Sequence, residues 1–228
     1  MKQTGVIFIT FLILAVLFSI GSFFELPTVY KVANFTMVPT LLLYYFKKAD
    51  RIFWPMVIVI ICFYARDILM TNGFSNYPLA VMVLFSVGIL LWYLCGIIGF
   101  PRAYLHKVEM ISLLIMYSFL GFLTYTMADT VPEVIPSYTI ATYLYLVLLS
   151  VLLAIAFTGY LIKSHWTSLW LMLASASLLV SELSLYFKLY ILQDISVNLF
   201  FPTFHIFMFY CLVKYSLNRR WIGIWGCF

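Results

Sequence analysis

Residues 5–24 read GVIFITFLILAVLFSIGSFF, twenty positions without one charged side chain. Residues 78–100, PLAVMVLFSVGILLWYLCGIIGF, repeat the pattern at twenty-three. An α-helix rises about 1.5 Å per residue, so about twenty apolar residues match the hydrocarbon core of a bilayer. Such runs, recurring along the chain, decide the fold: an all-α, polytopic membrane helix bundle.

Composition agrees along all 228 residues, of which 65% are hydrophobic and only 9% charged. Water-soluble chains carry about 25% charged residues. A chain this size keeps a large surface, so lipid has to be its solvent. The length suits about eight spans in a single domain, 1–228, and leaves no room for a soluble one. The spans fall near 5–24, 33–46, 52–70, 78–100, 110–127, 139–163, 167–187 and 198–214, the second short and carrying Pro39. Pro27, Lys47-Lys48 with Asp50-Arg51, Asn72-Gly73, Pro101-Arg102, Pro132 with Pro136, and Gln193-Asp194 separate them. The first run is too long for the apolar part of a signal peptide and lacks a small-residue cleavage site, so it reads as a retained span.

The net charge of +5 is distributed as membrane topology is written, in short basic clusters between apolar runs, and not as a nucleic-acid face. With the N-terminus in the cytoplasm, the inner segments hold Lys2, Lys47, Lys48, Arg51, Arg102, Lys107, Lys163, Lys214, Arg219 and Arg220. The outer ones hold only Lys31 and Lys188. Ten against two predicts both termini inside and an even number of spans. Cys62, Cys95, Cys211 and Cys227 have no metal-ligand spacing, and the first three read as small packing residues. Tyr30, Tyr77, Tyr104, Trp54, Trp166 and Trp221 fall at interfaces and read as an aromatic belt, while Tyr64, Tyr117 and Tyr143 fall within spans.

Ionisable residues at membrane depth are expensive and mark function by default. Asp67 in FYARDILM (63–70) and Glu182 in LLVSELSLYF (178–187) lie on the third and seventh spans, both in the outer third. His205 in FPTFHIFMFY (201–210) enters from outside and reaches the same layer. These three are the candidate catalytic residues. Asp is too short to snorkel, whereas Arg66, within a turn or so of water, reads first as an interfacial cation reaching for headgroups. Arg66, Tyr64, Tyr93, Ser181, Ser175 and Lys31 are candidate cavity-lining residues. Ser175 lies one heptad before Glu182, with Ser177, Ser181 and Ser184 alongside, a pattern that also permits close helix packing.

The motifs resemble those of the YhhN family of membrane proteins, whose members include lysoplasmalogenases. In ARDILM, Asp67 and Leu69 match the family's Gly-Asp followed by leucines, with Arg66 in place of the Gly; VSELSL keeps Ser181 and a carboxylate as Glu182. VYKVANFTMVPTLLLYYF looks like the family's Tyr-Lys-Pro entry to the second span, with Tyr30 and Lys31 kept and Val32 replacing the Pro. The fourth span, LLWYLCGI, keeps Tyr93 without the usual His, and TFHIFMFYCL lacks the Tyr and Gln expected in the last.

The resemblance implies hydrolysis of the vinyl ether of a lysophospholipid-type membrane lipid, with no metal or organic cofactor. Proton delivery to carbon needs an acid, and water addition to the oxocarbenium benefits from a second carboxylate; Asp67 and Glu182 suit these roles in either order. Two other readings stand beside it. Intramembrane acids with a His and an Arg also suit a small transporter, and the departures from the motifs suit a non-catalytic family member.

Overall fold

A computed structural model describes residues 2–71, 77–97, 106–134, 139–190 and 195–219. Among these the chain forms eight helices: α1 Lys2–Phe23, α2 Pro27–Lys48, α3 Trp54–Thr71, α4 Pro78–Ile97, α5 Lys107–Val134, α6 Thr139–Lys163, α7 Trp166–Tyr190 and α8 Ile195–Asn218. Seven are long and apolar enough to cross a membrane. The eighth, α2, has the length, at 22 residues, but not the composition, since Lys31, Asn34, Thr36 and Thr40 dilute it. Two separators read differently in the structure. Pro27 opens α2 at a position where its missing N–H costs nothing, so the helix begins six residues before the expected 33. Helix α5 runs through Pro132 to Val134. Asn72-Gly73, Pro101-Arg102, Pro136, Gln193-Asp194, Tyr104, Arg220, Trp221 and Cys227 lie outside the described residues.

The chain is a multi-pass membrane protein by its surface as well as its length. Val6, Ile9, Ile13 and Val16 of α1 are each more than half exposed, as are Ile111, Leu114, Ile115 and Phe122 of α5. Stripes of that size do not face water in soluble monomers. Trp54, Tyr77 and Trp166 are exposed at helix ends, as an aromatic belt requires. Helices α7 and α8 pair closely and form the interior; α3 pairs with α4 beside them, α1 with α2 on the other flank, and α5 leans on α6 at the rim. Cys95 and Cys211 are buried among the core side chains and Cys62 is half-buried, all three as free thiols.

In hydrocarbon a backbone carbonyl without a partner is costly, and a proline inside a helix orphans the carbonyl four residues before it. Pro39 frees the carbonyl of Phe35, and Tyr64 of α3 donates its hydroxyl to that oxygen at 2.6 Å. Pro202 frees the carbonyl of Asn198, which accepts from Ser22 of α1 at 3.1 Å. Both breaks are repaired by a hydroxyl from a neighbouring helix. The α1–α2 corner is tight: Glu25 takes a left-handed φ of 53°, and Leu26 N–H closes back on Gly21 O at 2.8 Å. A Cβ on Gly21 would meet the backbone N of Tyr30 at 2.7 Å, so only glycine lets the helices approach this closely.

Candidate functional site

Adjacent residues on a helix point about 100° apart, so Arg66 and Asp67 leave α3 in different directions. Asp67 turns toward α8, where its Oδ2 lies 2.7 Å from His205 Nε2. Arg66 turns toward α7 and donates Nη1–H to Glu182 Oε1 at 2.7 Å. The guanidinium also reaches back to its neighbour, with Nε donating to Asp67 Oδ1 at 3.2 Å and Nη2 lying 3.1 Å from the same oxygen. That last contact is an ion pair without hydrogen-bond alignment, which leaves Nη2 without a hydrogen-bonded acceptor. One cation thus bridges both carboxylates.

The second oxygen of Glu182 accepts from the Tyr145 hydroxyl on α6. Tyr145 stacks on Phe85 of α4 with ring centres 3.8 Å apart, and the Arg66 guanidinium lies 5.3 Å from the Phe85 centre on α4. Arg66, Glu182, Tyr145 and Phe85 therefore close a ring that draws on four helices, with a cation–π contact as one side. On the other side, His205 Nδ1 lies 3.4 Å from Ser181 Oγ, and Phe201 stacks on the imidazole at 5.3 Å. The Ser181 hydroxyl also lies 3.4 Å from Phe201 O, so it sits between that carbonyl and the imidazole. A proton lies between Nε2 and Oδ2, on one atom or the other. Two carboxylates thus face an arginine and a histidine, and pairing of this kind is what lets charges be buried.

All four charged residues are buried, none more than 6% exposed. Asp67, Glu182 and His205 thus meet in one layer, as expected from their depth. Arg66 does not snorkel. Its 1% exposure and its central place correct the interfacial reading: α3 turns that face inward, and the two acids hold the cation there. Of the other candidates, Ser181 joins the cluster through His205 and Lys31 lines a cavity beside it. Tyr64 serves the Phe35 carbonyl, Tyr93 donates to Leu148 O on α6, and Ser175 returns its hydroxyl to Leu171 O within α7. Those three stand apart from the charges. Tyr145 was not among the candidates, and Tyr143, which was named within its span, packs instead against the Met127–Leu146 cluster.

Two cavities flank the cluster. One, of about 380 Å³, is bounded by Asp67, His205, Tyr30, Lys31, Asn34 and Lys188. The other, of about 90 Å³, holds Arg66, Glu182, Tyr145, Thr142 and Tyr186 in a largely apolar wall that includes Val81, Leu146 and Leu149. Met70 and Leu185 border both and form the partition. No group of three or more His, Cys, Asp or Glu among the described residues is arranged to hold a metal ion. No protein-family model matches the chain, and neither does any curated protein or solved structure.

Proposed function

We propose that the chain is a YhhN-like membrane hydrolase that cleaves the vinyl ether bond of a lysophospholipid-type lipid. The observation that carries this reading is the position of the charged cluster between a cavity with lysines in its wall and one whose wall is largely apolar. The scissile bond of such a lipid lies at the same kind of boundary, between a phosphorylated glycerol and an alkyl chain.

The cluster also divides the labour. Glu182 has both oxygens occupied by donors, Arg66 and Tyr145, and acts as the fixed negative charge. Asp67 shares a proton with His205 and acts as the source. That proton passes to the vinyl carbon remote from oxygen, and the oxocarbenium forms on the carbon bonded to it. Water adds there and returns one proton to the Asp67–His205 pair. The hemiacetal then collapses to an aldehyde and the free glycerol hydroxyl, so the hydrolysis balances. We place both termini in the cytoplasm, on the ten-to-two distribution of basic residues, which puts the site in the outer half of the membrane.

The test is aldehyde release by purified protein from vinyl-ether lysolipid, with ester and alkyl-ether analogues as controls. Selective release from the vinyl ether supports the hydrolase. No aldehyde from any lipid, with pH-dependent solute uptake in vesicles, supports a carrier instead.

A further inference from the structure

The larger cavity carries groups that the acid cluster leaves unused. Lys31 on α2 and Lys188 on α7 face it together. Lys188 shares its surroundings with Glu25, whose carboxylate also accepts from Asn198 Nδ2 at 3.2 Å. The amino end of α2 opens on the same space through Pro27. Its N-cap, Leu26, supplies no side-chain hydrogen bond and its first turn has no acidic residue, so no side chain of that turn offsets the positive end of the helix dipole.

Asn34 lines this cavity, is 2% exposed, and holds an oxygen without a partner. Its orientation is fixed by its neighbour. The Thr71 hydroxyl gives its one hydrogen to Asp67 O at 2.8 Å, so toward Asn34 it can only accept. Asn34 therefore presents Nδ2 to Thr71, at 2.8 Å, and Oδ1 is left as an acceptor in a buried wall. Such an acceptor calls for a donor.

We propose that this cavity binds a phosphodiester bearing a neighbouring hydroxyl: the phosphate between Lys31, Lys188 and the amino end of α2, the hydroxyl donating to Asn34 Oδ1. A glycerophospho head group has this chemistry, whether on a lysolipid or free. The proposal rests on the hydrolase reading and names its head group, and the experiment separates the two.

Binding is measured by calorimetry in a phosphate-free detergent. The probes are an alkyl-ether lysophosphoethanolamine, its 2-deoxy analogue, and soluble glycerophosphoethanolamine. The deoxy lipid should bind about tenfold more weakly than its parent, the cost of leaving a buried acceptor unpaired. Lys31→Met and Lys188→Met should each weaken the parent about tenfold. Asn34→Leu should erase the difference between parent and deoxy lipid. Binding of the soluble compound, with the same lysine dependence, assigns the site to free head groups as well; binding of the lipid alone assigns it to the membrane. Equal affinity for parent and deoxy lipid in the unmodified chain overturns the proposal whatever becomes of the variants. Hydroxyl-dependent binding without aldehyde release keeps the site and removes the hydrolase, and aldehyde release with equal affinities does the reverse.

Discussion

Replacing Arg66 with Met keeps much of the side-chain volume and removes the one cation among the described residues that touches both acids. Hydrogen bonds between membrane helices average about 0.6 kcal/mol, which would make the change mild. The orphans here are charges, however, and breaking a buried ion pair by removing one partner costs about 3–5 kcal/mol. The charge term should dominate, so Arg66→Met is expected to lose about 3 kcal/mol, read as reversible unfolding in lipid bicelles. The geometry then ranks the rescues. Without Arg66, Asp67 keeps its contact with His205 at 2.7 Å, whereas Glu182 keeps, among the described residues, only the Tyr145 hydroxyl. Adding Glu182→Gln to Arg66→Met should restore most of the loss, and adding Asp67→Asn clearly less, because it also disturbs the histidine. Arg66→Lys, which keeps the charge without the fork, should fall between wild type and Met. A Met variant within about 0.5 kcal/mol of wild type, or two rescues of equal size, would refute the bridging argument, since scatter among such measurements is about that large.

Asp67→Asn and Glu182→Gln keep shape but can neither donate an acidic proton nor carry charge, so each should cut aldehyde release by about 10²–10⁴-fold. Losses under tenfold in both, with folding intact, would make the acids structural. Tyr64→Phe should destabilise by about 1–2 kcal/mol, because the Phe35 carbonyl loses its donor. Pro39→Ala in the same chain should recover most of that by restoring the helix's own N–H to the carbonyl; no recovery in the double variant would sink the repair argument. Reporter fusions at the two termini should both report the cytoplasm, and opposite sides would end the reading from basic residues.

The helices were legible because length and apolarity are properties of a run, and each of the eight expected spans overlaps one observed helix. Their ends were less so: a proline reads as a break whether it ends a helix, opens one as Pro27 does, or sits inside one as Pro132 does. Asp67, Glu182 and His205 could be matched because distance from a span's end gives depth. Depth does not give rotation about the helix axis. Arg66 and Asp67 share a depth, so nothing local said that the arginine turns inward to Glu182, 116 positions away in the chain. Tyr145 was harder still, being one of 17 tyrosines and distinguished from Tyr143 only by which face of α6 meets Glu182.

Helix α2 joins these threads. Among the described helices it alone falls short in apolarity, and its polar residues divide into two groups with different reasons to be there. Thr36 and Thr40 return their hydroxyls to Val32 O and Thr36 O at 2.7 Å each, so they cost the membrane little. Lys31 and Asn34 have no such internal partner and border the larger cavity. A helix that walls a polar cavity must carry groups that lipid would reject, and it can do so only where neighbours shield them. The lowered apolarity of α2 is therefore the sequence trace of the cavity. Pro39 fits the same logic, since a proline here is tolerable only because Tyr64 on α3 answers the carbonyl it frees, three residues before Asp67 on the same helix. The hydroxyl that repairs α2 thus ties it to the helix that carries both Arg66 and Asp67, and holds the cavity wall against the acid cluster.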